Sequence, residues 1–463
     1  MTNRFQEAYR RKLISAEDAA GLVESGMTVS LGGSASLATL IDRHLAERKD
    51  ELSDVTVRTY LDTHSLKVCE VDPQGEVFKW YSGFVLGYSR PYSKARGVGI
   101  YQPSTWHNVP AFIRNHHKID IFYLVTAPMD GAGYFNFGLT VSETMAIADA
   151  AQKIVVLVRK DMPTIFGGYE EAIHISRVDY IVEDDSTETF CLPVVPPTRQ
   201  DLDIAKNVMA AGLLKDGTTL QIGIGGLPNS VLDLLKDAGI KNCGFHTEML
   251  TEKMLELIEA GVVTNSEKKR DRFKTVFTFC LGSRKLYDFV HRNSAFASYP
   301  VDYTNNPLVI AQQPRMFSLN SAAMVDLTGQ IASEQIPGDR PYQVSGTGGQ
   351  LDFVMGTMLA QDQQGTSVIA IYSEREGVSK IVPLLEKGAN VTVPRSMVDC
   401  VATEWGIARL RGLTVNERAR ALIAIAHPDH REALTRSALE SGLLPYGLVR
   451  DGTPVPGVLA HQA

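Results

Sequence analysis

Three stretches in the second half of the chain gather residue types suited to chemistry on an anionic or acylated ligand. The first is Gly223-Ile224-Gly225-Gly226-Leu227-Pro228, which follows the short apolar run Leu220-Gln221-Ile222 and precedes helical spacing over residues 230–236. Glycines at a strand-to-helix turn let backbone approach a ligand closely, and the helix start behind them presents unpaired N–H groups to negative charge. Tight packing alone asks for the same residues, so one glycine loop does not separate the two roles. The second stretch is Cys243-Gly244-Phe245-His246-Thr247-Glu248-Met249, with Glu248 at or just past a strand. A solvated glutamate is inert, whereas a positioned carboxylate is a nucleophile. His246, two residues earlier, would share its face of an extended chain, although such a histidine is more often a hydrogen-bonded packing residue. The third is Ser345-Gly346-Thr347-Gly348-Gly349-Gln350-Leu351-Asp352-Phe353, a second glycine turn. Downstream, Glu374-Arg375-Glu376-Gly377-Val378-Ser379-Lys380 supplies cations for a pyrophosphate or for surface ion pairs. Weaker candidates of the glycine type are Gly32-Gly33-Ser34-Ala35-Ser36 and Arg96-Gly97-Val98-Gly99-Ile100-Tyr101-Gln102-Pro103.

The elements that must hold these residues come from the alternation of short apolar runs with helical segments. Ile121-Phe122-Tyr123-Leu124-Val125 and residues 153–158 flank a helical stretch near 144–151, and residues 367–372 and 389–393 flank an expected helix over 381–387. Continuous apolar runs separated by helices predict mainly parallel sheets, whose ligands sit beyond the carboxyl ends of the strands. The chain also echoes itself. The run from Ala19 to Gly33 is matched by that from Ala210 to Gly223, and Val178-Asp179-Tyr180-Ile181-Val182-Glu183 resembles Val398-Asp399-Cys400-Val401-Ala402-Thr403-Glu404. Two echoes in the same order predict two related α/β domains. At 463 residues the chain exceeds one ordinary core. The prolines of Leu192-Pro193-Val194-Val195-Pro196-Pro197-Thr198 place the boundary. The expected organisation is a domain over 1–190, a Pro-rich linker over 191–200 and a domain over 201–463 that carries Glu248. A helix is also expected over 415–425, followed from Pro445 by a Pro- and Gly-rich tail.

Composition narrows the function. A formal net charge of −7 without a basic run leaves no footprint for nucleic acid. No apolar run approaches the roughly 20 residues of a membrane helix, and residues 1–19 lack the apolar stretch of a secretory signal. The five cysteines, dispersed and without a CxxC pair, read as reduced thiols of a cytoplasmic protein, with no metal site expected. A dinucleotide-binding reading of Gly223-x-Gly225 fails on Pro228, which occupies the place of the third glycine.

Several ordered motifs together are more specific than any one. Gly223-Ile224-Gly225-Gly226-Leu227-Pro228, Gly244-Phe245-His246-Thr247-Glu248-Met249, Gly261-Val262-Val263-Thr264-Asn265 and Val325-Asp326-Leu327-Thr328-Gly329-Gln330 closely resemble class I coenzyme A transferases. The branch is the acetyl-CoA hydrolase/transferase group that includes 4-hydroxybutyrate CoA-transferases. The resemblance continues through residues 345–353, Ser379-Lys380-Ile381-Val382-Pro383 and Arg418-Ala419-Arg420-Ala421-Leu422-Ile423, spanning nearly all of the second half and, more weakly, the first. It implies two similar α/β domains with the active site in the cleft between them, and coenzyme A moved between short-chain carboxylic acids. By the same resemblance Glu248 forms a glutamyl-CoA thioester; Gly223, Ile224, Gly225, Gly226 and Leu227 contact coenzyme A near the thioester; and Gly348 lies in a second coenzyme A segment. Arg375 or Lys380 supplies a basic contact, with Lys380 preferred. No tightly bound cofactor is implied, coenzyme A and acyl-CoA being substrates, and a homodimer or higher homo-oligomer is expected. Family members tend to carry an arginine after Met162-Pro163, where this chain has Thr164, so the choice of acid is expected to differ. Hydrolysis of acyl-CoA on the same scaffold is the nearest alternative, and a non-catalytic acyl-CoA sensor a remoter one. A carboxylate with its ordinary pKa of about 4.3 is ionised at neutral pH, so Glu248 is expected to need no general base, with Gln221 and Thr247 orienting it.

Overall fold

The apolar runs of the first half lie where both faces of a strand are covered. Ile119–Thr126 and Ala151–Val158 pair in parallel, Ile121 opposite Lys153 through Thr126 opposite Val158, and their inner residues are buried on both sides. They occupy the middle of a six-stranded, wholly parallel sheet. Its order is Phe78–Ser82, Val55–Tyr60, Thr28–Gly33, Ile119–Thr126, Ala151–Val158, Tyr180–Glu183. The computed structural model describes residues 2–193, 195–445 and 455–461, so most of the Pro- and Gly-rich tail lies outside the described residues.

A second sheet carries the later motifs. Its order is Gly244–Phe245, Thr219–Ile222, Phe317–Ser321, Thr366–Ala370, Cys400–Thr403, Gly406–Arg409, Val458–His461. The first five strands are parallel and the last two antiparallel. The internal echo has a structural counterpart. Setting aside Phe78–Ser82 and the two antiparallel strands, each sheet reads second, first, third, fourth, fifth in chain order. The echoed segments fill equivalent places: Thr28–Gly33 and Thr219–Ile222 are the first strands, Tyr180–Glu183 and Cys400–Thr403 the fifth. In such an order the chain reverses direction across the sheet between first and third strands, opening a crevice at their carboxyl ends. The 223–227 loop leaves the first strand of the second sheet at that crevice.

The halves are not packed as separate cores. One contiguous cluster of buried apolar side chains runs from Ala19 and Val29 through Phe245 and Leu281 to Ile407, and a second, including Val325, Ile369 and Leu422, lies behind the second sheet. Backbone hydrogen bonds also cross over: Cys280 N–H donates to Leu139 O (2.8 Å) and Val141 N–H to Thr278 O (3.1 Å).

The helices near 144–151 and 415–425 are present as Thr144–Ala150 and Val415–Ala424, the latter opened by a capping box of Thr414 and Glu417. The expected helix over 381–387 is absent. Ile381–Val382 forms a short strand parallel to Met324–Asp326, and Pro383 holds the residue before it in extended geometry. Residues 389–393 consequently lie outside the main sheet, and Cys400–Thr403 pairs with Thr366–Ala370 instead. Among the described residues no helix is long and apolar enough to cross a membrane. The five cysteines are unbridged, four of them buried and Cys191 exposed.

We propose that 1–190 and 201–463 are the folding units and 191–200 their link, a segment whose described residues are mostly exposed. Limited proteolysis should cut first within 191–200 and leave fragments that co-elute, held by the shared cluster. A first cut inside 201–300 would sink this division.

Candidate active site

Glu248 lies in the gap between two short strands, Gly244–Phe245 and Met249–Leu250. Its backbone carbonyl accepts from Thr278 N–H (3.0 Å) and Phe279 N–H (3.3 Å), which fixes the main chain beneath the side chain. The carboxylate reaches the second glycine turn. A Cβ on Gly349 would stand 1.8 Å from Glu248 Oε2 and 2.3 Å from Asn305 Nδ2, so only glycine permits this approach. Asn305 Nδ2 donates to Glu248 Oε2 (2.7 Å) and to Asp352 Oδ2 (3.3 Å). Asp352 is fully buried and held from the first half: His107 N–H donates to its Oδ2 (3.0 Å) and His107 Nδ1 to its Oδ1 (2.6 Å).

Among the described residues no Lys or Arg stands beside the Glu248 carboxyl to balance its charge. Burial pushes it up from 4.5 to about 8, and the neighbouring Asp352 charge adds to this. The Asn305 hydrogen bond and the Gly349 N–H act in the opposite direction. Burial thus favours the neutral carboxyl of Glu248 in the free protein, unlike the solvated, ordinary glutamate expected from sequence. The orienting groups also differ from expectation. Thr247 Oγ1 donates to Met249 O (3.1 Å), and Gln221 exchanges hydrogen bonds with Asn320 (3.2 and 3.1 Å). His246 is a packing residue. It is fully buried, its Nε2 lies 2.7 Å from Thr304 O, and burial depresses its pKa to about 3. His246 meets the backbone of Thr304 and Glu248 the side chain of Asn305, so both contact the same turn.

The first half clamps the second glycine turn. Thr347 N–H donates to Tyr101 Oη (2.8 Å) and Trp106 N–H to Gly348 O (3.2 Å). Gly348 adopts a φ of +49°, and a Cβ there would lie 2.8 Å from Phe84. Against Gly348 lies a small chamber of ≈ 20 Å³ walled by Tyr60, Leu61, Phe84, Trp106 and Val109, with Gln102 and Ser104 as its polar members. The weak candidate around 96–103 thus reaches the site through Tyr101 and Gln102. Thr164, where an arginine was expected, is elsewhere: it lines a different cleft with Asn136, Phe166 and His291, and its N–H donates to His291 Nδ1 (3.0 Å).

The remaining sequence candidates line a neighbouring surface. Ile224, Gly225, Gly226 and Leu227 border a depression shared with Ser321, Ala322, Ile371 and Tyr372. Those last four residues also border a wider cleft of ≈ 950 Å³, whose lining includes Arg375 and Lys380, Arg90 and Lys94 of the first half, and Ser345. Gly223 N–H is engaged by Leu319 O (3.1 Å) and is not a free donor. Both Arg375 and Lys380 thus border the cleft. Sequence reasoning missed Asn305, His107, Arg90 and Lys94. Asn305 and His107 sit in no motif, and only the packing of Val301–Thr304 against 106–108 brings them to Glu248.

Residues 1–196 match the acetyl-CoA hydrolase/transferase N-terminal domain and residues 282–438 the acetyl-CoA hydrolase/transferase C-terminal domain. A probable butyrate:acetyl-CoA coenzyme A-transferase of Syntrophomonas wolfei is 37% identical over 95% of this chain and 97% of its own length. A 4-hydroxybutyrate coenzyme A transferase of Clostridium kluyveri is 37% identical over 93% and 98%. Among solved structures, RipA from Yersinia pestis superposes with a TM-score of 0.85 at 34% identity, covering 95% of this chain and all of that one.

The site yields two predictions. Gly349→Ala should displace the carboxylate and cut acyl transfer at least ~100-fold with an unchanged circular dichroism spectrum; near-normal transfer would contradict the packing described. An acid held above its ordinary value keeps a proton that the unfolded chain has already lost, so between 4.5 and about 8 native stability falls as pH rises. Denaturant titrations should therefore show Glu248→Gln gaining stability relative to the parent chain across that interval, and a constant difference would refute the raised pKa.

Proposed function

The chain belongs to the acetyl-CoA hydrolase/transferase family and is a CoA-transferase, and on that premise we propose that it moves coenzyme A between short-chain carboxylic acids through a glutamyl-CoA thioester on Glu248. The observation that carries this reading is the Glu248 carboxylate itself, held against Gly349 and Asn305 with no balancing cation. A desolvated carboxylate is a stronger nucleophile than a solvated one once it ionises, and it is aimed by a single side-chain donor.

The reaction balances without ATP or metal. Glu248 first gives up its proton to solvent; its ionised oxygen then attacks the acyl carbonyl of acyl-CoA, the C–S bond breaks, and a mixed anhydride and a coenzyme A thiolate result. The thiolate attacks the glutamyl carbonyl, releasing the first acid as its carboxylate and leaving the glutamyl thioester. A second carboxylate then reverses the two steps. The Gly349 N–H acts on the glutamyl oxygen as negative charge develops there, and such donors are each worth ~2.7–4 kcal/mol. Asn305 keeps the oxygens in register. Arg90, Lys94, Arg375 and Lys380 meet the phosphates of coenzyme A along the wide cleft. The 223–227 loop meets its pantetheine end at the crevice where the strand order reverses. Binding energy from the distant nucleotide is then available to strain the reacting carbonyl.

The chamber beside Gly348 receives the acyl group. No cation lines it, and its volume accommodates little more than a water-sized group, so short aliphatic monocarboxylates are preferred over dicarboxylates. No tightly bound cofactor takes part. A cytoplasmic setting, supported by five unbridged thiols, and a homodimer or larger assembly, supported by family resemblance, belong to the same proposal.

Incubation with acetyl-CoA alone should add the mass of coenzyme A, less water, to the peptide containing Glu248, and Glu248→Ala should abolish both adduct and transfer. Transfer surviving in that variant would end the proposal. Thiol release that is unaffected by an added acceptor acid would mark a hydrolase instead. Across a panel of acceptors, acetate and propionate should exceed succinate at least tenfold in kcat/KM; a preference for succinate would overturn the chamber assignment.

A further inference from the structure

Away from Glu248, a cluster of metal-ligating side chains stands where the wide cleft meets the last helices. Glu374 begins the hairpin of Glu374–Arg375 and Val378–Ser379. His427 caps the helix Pro428–Glu440, and His430 lies on its first turn. Glu374 Oε2 is 2.9 Å from His430 Nε2 and 3.7 Å from His427 Nδ1. Ligand atoms held ~2.1 Å from a tetrahedral zinc are themselves about 3.4 Å apart; the two distances from Glu374 bracket that value, and all three ligand atoms lie within 4.8 Å of one another. Each residue is only partly buried, which leaves an entry path.

The surroundings orient these ligands. Gly377 N–H donates to Glu374 Oε1 (3.3 Å), turning Oε2 towards the imidazoles. His427 packs edge-on against Trp405 at 5.4 Å, and its Nδ1 accepts from Asp429 N–H (3.4 Å), a long bond that an ion on Nδ1 would replace. The nearby Arg431 guanidinium lies over the Trp405 ring (5.8 Å), and Arg375 faces Glu376 (3.7 Å). We propose that Glu374, His427 and His430 bind one divalent transition-metal ion of the zinc class, which clamps the 374–379 hairpin to the helix Pro428–Glu440. The hairpin carries Arg375, and Lys380 follows it, so the clamp sets two cations of the cleft. Sequence spacing conceals such a site because Glu374 is separated from the histidine pair by four short strands and a helix, and it revises the expectation of no metal.

The test uses the untagged full chain, stripped with a chelator and titrated with zinc against a chromophoric indicator. One zinc per chain should bind with Kd at or below about 1 µM. Glu374→Gln and His430→Ala should each weaken it by ~100-fold or more, while His44→Ala, at the surface pair of His44 and Glu47, leaves it unchanged. Zinc should also slow amide hydrogen exchange across 374–379 in the parent chain and not in Glu374→Gln. Absent binding, or equal binding by the variants, would refute the site, since the cluster would then be only a histidine–carboxylate hydrogen bond. Binding that leaves exchange unchanged would refute the clamp. Neither readout depends on acyl transfer, so failure here is distinguishable from failure of the proposed activity.

Discussion

A carboxyl group buried with no positive neighbour among the described residues is the constraint around which the rest of the molecule is arranged. Moving a carboxylate out of water costs several kcal/mol unless partners take over its solvation, and here the partners are one amide side chain and one backbone N–H. Asn305 has no freedom of its own, because its Nδ2 also engages Asp352, and Asp352 is anchored twice by His107. The absence of a side chain at Gly349 belongs to the same arrangement. A residue of any other type would occupy the space in which the carboxyl lies.

The sheets explain why this arrangement stands beside a cleft able to hold something much longer than an acyl group. Both follow a strand order that reverses beside the first strand, and the second sheet uses the opening for the 223–227 loop. Ser321 and Ala322, at the end of the third strand, border both the loop's depression and the wide cleft. The walls therefore run continuously from a glycine turn to four cations contributed by both halves.

Much of this was legible in the sequence where the signal was local. The parallel sheets followed from continuous apolar runs, and the repeat of one topology followed from the two echoes. Glu248 and both glycine turns stood out because motif and spacing are properties of neighbouring residues. What failed to show was anything made by distant segments meeting. Asn305 is a buried asparagine before another asparagine and a proline, with nothing to single it out until His107 and Asp352 are seen behind it. The upward shift of the Glu248 carboxyl is hidden for the same reason: an ordinary pKa belongs to a solvated side chain, and desolvation is a property of the fold. The expected helix over 381–387 failed more locally, since apolar periodicity was given more weight than Pro383.

The grip of the first half on the second glycine turn bears on synthesis and damage. Phe84, Tyr101, Trp106 and His107 are all translated before residue 248, yet each acts only after residues 346–352 have been added. A chain ending before that turn lacks Gly349 and Asp352, against which Glu248 and Asn305 are held. The complete site is thus assembled only when early and late segments of the polypeptide are present together.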